Sequence, residues 1–145
     1  MRIRKTTGVP LLAIFIAFGG SCSLQKSKAT GESAVAKFHS QFNAEQYHEI
    51  YGKTDEGFRK ATSEQEMLEY LRAIHRKLGE VKDAKQIGWH LNATTGGVQV
   101  FLAYKTSFSE GDATEQFVFL VSGDNSALFR YNIESPLFIT KKTSS

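Results

Sequence analysis

Between residues 34 and 78 the apolar positions recur at intervals of three and four, the spacing of a helix with one buried face. Ala34, Val35, Phe38 and Phe42 form the first such stripe. Tyr47, Ile50 and Tyr51 form a second, shorter one ending near Gly52, and Phe58 packs in the connection that follows. The next helix is the best marked. Ser63 and Glu66 have the capping-box spacing, in which each side chain satisfies a backbone N–H of the other. Met67, Leu71, Ile74 and Leu78 then line one face. Gly79 stands where a left-handed C-cap belongs. Arg76 and Lys77 in the last turn suit the negative end of the helix dipole.

From Val81 the period changes to two. Ile87, Trp89 and Leu91 alternate with polar residues, and Thr94-Thr95-Gly96-Gly97 supplies a turn. Residues 98–108 read as a second strand and 113–121 as a third. A fourth, 128–133, follows the turn Ser122-Gly123-Asp124-Asn125. Three consecutive hairpins predict an antiparallel meander. Helices first and a meander afterwards predict an α+β domain, with the N-terminal helices packed on one face of a four-stranded antiparallel sheet.

Four-residue turns would set Tyr104 opposite Phe117, and Leu102 opposite both Trp89 and Phe119. Ile87, Trp89, Leu91, Val98, Val100, Leu102, Tyr104, Phe117, Phe119 and Val121 then share one apolar face, the one that helices must cover. Bringing Phe129, Tyr131 and Ile133 onto it requires an odd last turn or a bulge.

Upstream of the first helix, residues 22–31 are polar and predict a flexible tether. Residues 1–21 have another character. Arg2, Arg4 and Lys5 are followed by an apolar run over 9–18 and by Gly19-Gly20-Ser21 directly before Cys22. That is the plan of a secretory signal. Ten apolar residues make only about 15 Å of helix, against roughly 30 Å of hydrocarbon to cross. Gly20-Ser21-Cys22 resembles a bacterial lipoprotein signal. The resemblance implies cleavage before Cys22, acylation of its thiol and attachment to a membrane, with Ser23 pointing to the outer membrane facing the periplasm. Ordinary cleavage after Gly19 or Ser21 is the alternative, leaving a soluble protein with a free thiol. The chain has one cysteine, so no internal disulfide competes for it.

The net charge of +3 is carried by Arg2, Arg4 and Lys5; without them 15 basic residues face 15 acidic ones. A neutral domain without a basic run lacks the electrostatic footprint of nucleic-acid binding. Residues 32–139 are of one-domain size, with a polar tail at 140–145.

The element order, together with Tyr47-x-x-x-Tyr51, Arg76-x-Leu78-Gly79, Thr114-Glu115 and Tyr131-x-Ile133, resembles the NTF2-like, or cystatin-like, cone. In that fold N-terminal helices pack inside a curved antiparallel sheet. More narrowly it resembles an uncharacterised family of exported small domains of this type. NTF2-like enzymes such as ketosteroid isomerases place an acid or base in the cone, and the matching positions here are Tyr104 and Glu115, near Thr106. A carboxyl in an apolar pocket would be poised for proton transfer. The competing reading leaves Glu115 solvated at a strand end and Tyr104 as ordinary core.

Other motifs dissolve on inspection. Gly52-Lys53-Thr54 lacks the glycine five residues earlier that a phosphate-binding loop needs, where Tyr47 stands. His48-Glu49 has Gly52 in place of the second zinc histidine. His39, His48, His75 and His90 never pair at metal-ligand spacing, so neither a metal nor a cofactor is expected. The cystatin inhibitory string is missing around Gln99.

The face away from the helices carries Phe101, Ala103, Val118 and Leu120, ringed by His90, Gln99, Lys105 and Gln116. An apolar centre with a polar rim is the make-up of an interface. Either Leu137-Phe138-Ile139 folds back over it after Pro136, or it pairs with a second copy or an envelope protein. The expectation is therefore a non-catalytic envelope lipoprotein that binds a partner protein or a small ligand. An isomerase- or dehydratase-type enzyme using the cone is the alternative.

Overall fold

The computed structural model describes residues 20–139. The expected signal segment, apart from its last two residues, and the polar tail 140–145 lie outside them. Four helices precede four strands: α1 (Gly20–Asn43), α2 (Tyr47–Gly52), α3 (Glu56–Ala61) and α4 (Glu64–Leu78), then β1 (Val81–Thr94), β2 (Gly97–Phe108), β3 (Asp112–Ser122) and β4 (Asn125–Glu134). The strands form one antiparallel sheet in the order β1-β2-β3-β4. This is the expected α+β meander, with a core of helix stripes pressed on one sheet face.

Residues 22–31 correct the sequence reading. They are the first turns of α1, not an irregular tether. They lack an apolar stripe, so periodicity does not reveal them. They hold by local bonds and by contacts with the sheet. Ser27 and Thr30 hydroxyls donate to carbonyls four residues back, at 3.1 and 3.0 Å. Lys28 pairs with Glu32 and lies 5.1 Å from the centre of the Trp89 ring, a cation–π contact. Lys26 reaches Asp124 at 2.8 Å. At Gly31 the helix comes so close to β2 that a Cβ would lie 2.8 Å from Val100 Cγ1. From there Val35, Phe38 and Phe42 are buried in turn. At the far end the Asn43 side chain imitates a strand, accepting from Val81 N–H at 2.8 Å and donating to the Val81 carbonyl at 2.9 Å.

The capping box is formed: Ser63 N–H donates to Glu66 Oε2 at 2.7 Å, and Glu66 N–H to Ser63 Oγ at 3.3 Å. Gly79 follows α4 at φ 79°, pressed so close to Ser109 that a Cβ would overlap its hydroxyl.

Two features of the register differ from expectation. Leu102 pairs with Phe117 and Tyr104 with Glu115. The last β2–β3 pair is Ser107 with Asp112, one residue earlier on each strand than expected, and every pair moves by two. A shift of two leaves each side chain on its face. The irregularity expected near β4 is a bulge between Val118 and Phe119, where Val118 pairs with Arg130 and Phe119 with Leu128. It turns Tyr131 and Ile133 toward the helices, with Leu128 taking the place expected for Phe129. A second bulge, between Gln86 and Gly88, leaves Ile87 unpaired and 57% exposed. Trp89 does oppose Leu102, but on the edge strand it is 53% exposed, with the Lys28 ammonium over its ring. Neither residue is core.

The α2–α3 connection pairs with the free edge of β4 at one bridge, Thr54 with Leu128. Asp55 N–H donates to the Leu128 carbonyl at 2.9 Å, and Leu128 N–H to that of Lys53 at 2.8 Å. The described tail ends in a short 3-10 turn, Pro136–Phe138, tied by the Ser135 hydroxyl to the Asp112 carbonyl at 2.7 Å. Leu137 lies against Gly111, and Phe138 beside Tyr70, Ile74 and Lys77 of α4.

Candidate functional site

The two candidate pocket residues are cross-strand neighbours, Tyr104 on β2 and Glu115 on β3. Glu115 is not solvated at a strand end: it is 1% exposed, in the centre of the helix–sheet layer. Its Oε2 lies 2.7 Å from His39 Nε2 and accepts from Thr106 Oγ1 at 2.6 Å. Its Oε1 accepts from the Tyr131 hydroxyl at 2.7 Å. A carboxylate this far from water is tolerated only when its lone pairs are met by donors. Here α1, β2 and β4 each contribute one.

Each element brings its donor by its own period. His39 falls on the buried stripe of α1 between Phe38 and Phe42. Thr106 is two residues beyond Tyr104, on the same face of β2. Tyr131 reaches the site only because the β4 bulge reverses its facing. Tyr104 is not among the three donors. Burial, and then the charge of Glu32, raises its hydroxyl above the usual tyrosine range. Burial, reinforced by the Glu115 charge, holds the Tyr131 hydroxyl well above that range. It therefore stays protonated and donating.

Aromatic rings close the space around this quartet. Phe117 lies 5.1 Å from Phe38, 5.0 Å from Tyr131 and 5.8 Å from His39, centre to centre. Both carboxylate oxygens are engaged and walled from solvent. Sequence reasoning picked out Glu115 and missed His39 and Tyr131. The signal for His39 was present in the spacing of Val35, Phe38 and Phe42, which places position 39 inside.

On the opposite sheet face, Phe101 pairs with Val118, Ala103 with Gln116, and Gln99 with Leu120. The expected opposite numbers differ by the same two-residue shift, while all four candidate interface residues keep their face. They are not equally open. Val118 is only 5% exposed, whereas Phe101, Ala103 and Leu120 are half-buried. Phe101, Ala103 and Val118 floor a groove of about 310 Å³ with walls from His90, Gln116 and Arg130. The His90 ring stacks on Phe101 at 3.9 Å. Of the expected rim, Lys105 reaches back toward Asp112 at 4.0 Å. Arg130, which sequence reasoning did not place there, takes part in no salt bridge among the described residues.

Cys22 is exposed in the first turn of α1. Among the described residues no three His, Cys, Asp or Glu side chains are placed to hold a metal ion, and no helix is long and apolar enough to cross a membrane. No protein-family model matches the chain, and no curated protein is significantly similar to it.

Proposed function

We propose that this chain is an exported NTF2-like domain, anchored to a bacterial membrane by lipid on Cys22, that acts by holding a partner protein on the outer face of its sheet. The observation that carries this reading is the course of the C-terminal segment. Residues 136–139 run beside α4 and leave the Phe101–Ala103–Val118 groove open, and an apolar floor inside a polar rim is costly to leave bare. A partner segment with an apolar side chain for the floor and a carboxylate or carbonyl for Arg130 fits its chemistry. The helices-on-meander architecture is compatible with the cone that the sequence resembles, and the apolar run before Cys22 supports export.

The enzyme alternative is supported by one specific observation, the buried Glu115 with His39 and Tyr131. It is the weaker reading, because a carboxylate with three donors and 1% exposure presents no surface to a substrate.

The test is made on the full chain in the envelope of a bacterial host. Mass spectrometry of the N-terminal peptide should find acylated Cys22. Chemical cross-linking should trap a complex that the Phe101→Asp, Leu120→Asp double variant loses. An unmodified N-terminus with release into the soluble periplasm refutes the anchor. Identical cross-linking by wild type and variant refutes the surface.

A further inference from the structure

The residues that join the anchor to the sheet are helical and bound to it, and this constrains how the domain meets the membrane. Helix α1 runs unbroken from Gly20 to Asn43. Its N-terminal half is fixed at three levels: Lys26 to Asp124 in the β3–β4 turn, Lys28 to Trp89 on β1, and Gly31 against Val100 and Leu102 on β2. From Cys22 to Gly31 the helix rises about 14 Å. From Val100 to the tip of the β1–β2 turn at Gly96 the strand covers about 13 Å in the same direction. Lys26, which reaches Asp124 in the β3–β4 turn, stands about one helical turn from Cys22, so Cys22 lies toward the end of the sheet that carries both turns.

We propose that the N-terminal half of α1 is a stiff stalk that seats this end of the sheet, the turns at 94–97 and 122–125, on the headgroups of a phospholipid surface. The proposal rests on the acylation of Cys22 argued above. The turn residues suit polar headgroups: Thr94, Thr95, Gly96, Ser122, Gly123 and Asp124 are exposed, and none is a large apolar side chain. Ten residues of flexible tether would give a root-mean-square reach of roughly 16–19 Å and no preferred orientation. The stalk instead stands the strands along the membrane normal. It carries the loop at 109–111 about 40 Å farther out, the length of β2, and turns the outer-face groove sideways.

The test uses the full acylated chain in vesicles of phosphatidylethanolamine and phosphatidylglycerol with an energy acceptor on a fraction of the headgroups. Because acylation blocks Cys22, a new cysteine is the single free thiol for a donor dye. Asn125→Cys should transfer energy to the headgroups several-fold more efficiently than Glu110→Cys. Adding Ser27→Pro, which breaks the stalk outside the packed core, should make the two efficiencies converge while the domain still melts cooperatively. Equal efficiencies in the unbroken chain overturn the stalk. If mass spectrometry finds Cys22 unmodified and the chain does not bind vesicles, the acylation reading has failed, and the seating falls with it.

Discussion

His39 Nε2 lies 2.7 Å from Glu115 Oε2, joining α1 to the centre of the sheet across 76 positions of sequence. Neither residue belongs to the apolar pattern that defines the core, yet both are sealed inside it. A buried pair of this kind is weak evidence for net stability, because desolvation offsets the attraction. Removing one partner is another matter. It leaves a charge or a donor stranded in a low-dielectric interior.

Glu115→Ala should therefore cost about 3–5 kcal/mol, since it strands His39, Thr106 and Tyr131 together. The melting temperature should fall by roughly 10 °C or more. Adding His39→Ala should cost much less than its effect alone, because the group it removes has already lost its partner. Calorimetry on the two single variants and the double variant closes this cycle. Additive losses would show that the two side chains are not coupled.

Tyr131 predicts the behaviour at high pH. Its folded-state pKa lies well above the ordinary value, through burial first and the Glu115 charge second. A raised pKa means stability that is complete below the unfolded value, about 10 for tyrosine. It is lost as pH climbs toward the folded value, because the unfolded chain releases its proton first. Tyr47, Tyr70 and Tyr104 are shifted the same way, each mainly by burial. Urea midpoints should fall steeply above about pH 10. Tyr131→Phe should start about 1–3 kcal/mol lower, with Glu115 Oε1 missing a donor, and fall less steeply. Parallel curves for the two proteins would mean that Tyr131 does not contribute to the alkaline loss.

What was legible beforehand and what was not divides along physical lines. The capping box at Ser63, the strand alternation and the facing of Phe101 and Val118 follow from short-range geometry, which sequence records directly. The facing survived a register error because a shift of two preserves it. The bulge at Gln86/Gly88 left no such mark, so Ile87 read as core, and Trp89 read as core because alternation does not show that β1 is an edge strand. The N-terminal half of α1 was hidden because its stability comes from tertiary contacts: Lys28 on Trp89, Lys26 on Asp124. The Glu115 site was half visible, since a carboxylate in a strand invites suspicion. Its donors come from elements whose mutual placement only the fold decides.

Gly31 tests the close approach of α1 to the sheet. Replacing a mid-helix glycine by alanine ordinarily gains up to about 1 kcal/mol of helix propensity. Here the new methyl would meet the fully buried Val100 at 2.8 Å, and overpacking of that kind costs about 1–3 kcal/mol. Gly31→Ala should thus lower the unfolding midpoint without changing the urea m-value. A clear gain in stability would mean that the helix can lift off β2 at no cost.

The outer face makes the last prediction, because its four apolar residues are not equivalent. Val118 is 5% exposed, lying between Phe101 on β2 and Arg130 on β4 in the register. Burying a carboxylate there without a partner is expensive, so Val118→Asp should unfold the domain or cost several kcal/mol, whether or not anything docks. Phe101 and Leu120 are half-open, and an aspartate at either can turn to water. Phe101→Asp alone should cost about 1–2 kcal/mol, chiefly from its lost apolar contact. The partner complex should be lost entirely, because the groove then has a charge in its floor. Arg130→Ala should leave the melting temperature within about 2 °C of wild type and weaken the complex most at low salt, where an exposed cation is least screened. Melting curves, with sedimentation of the cross-linked and free species, separate these effects. If Phe101→Asp destabilises as severely as Val118→Asp, the face is a second core wall. If Phe101→Asp folds and the complex survives, the partner sits elsewhere on the domain.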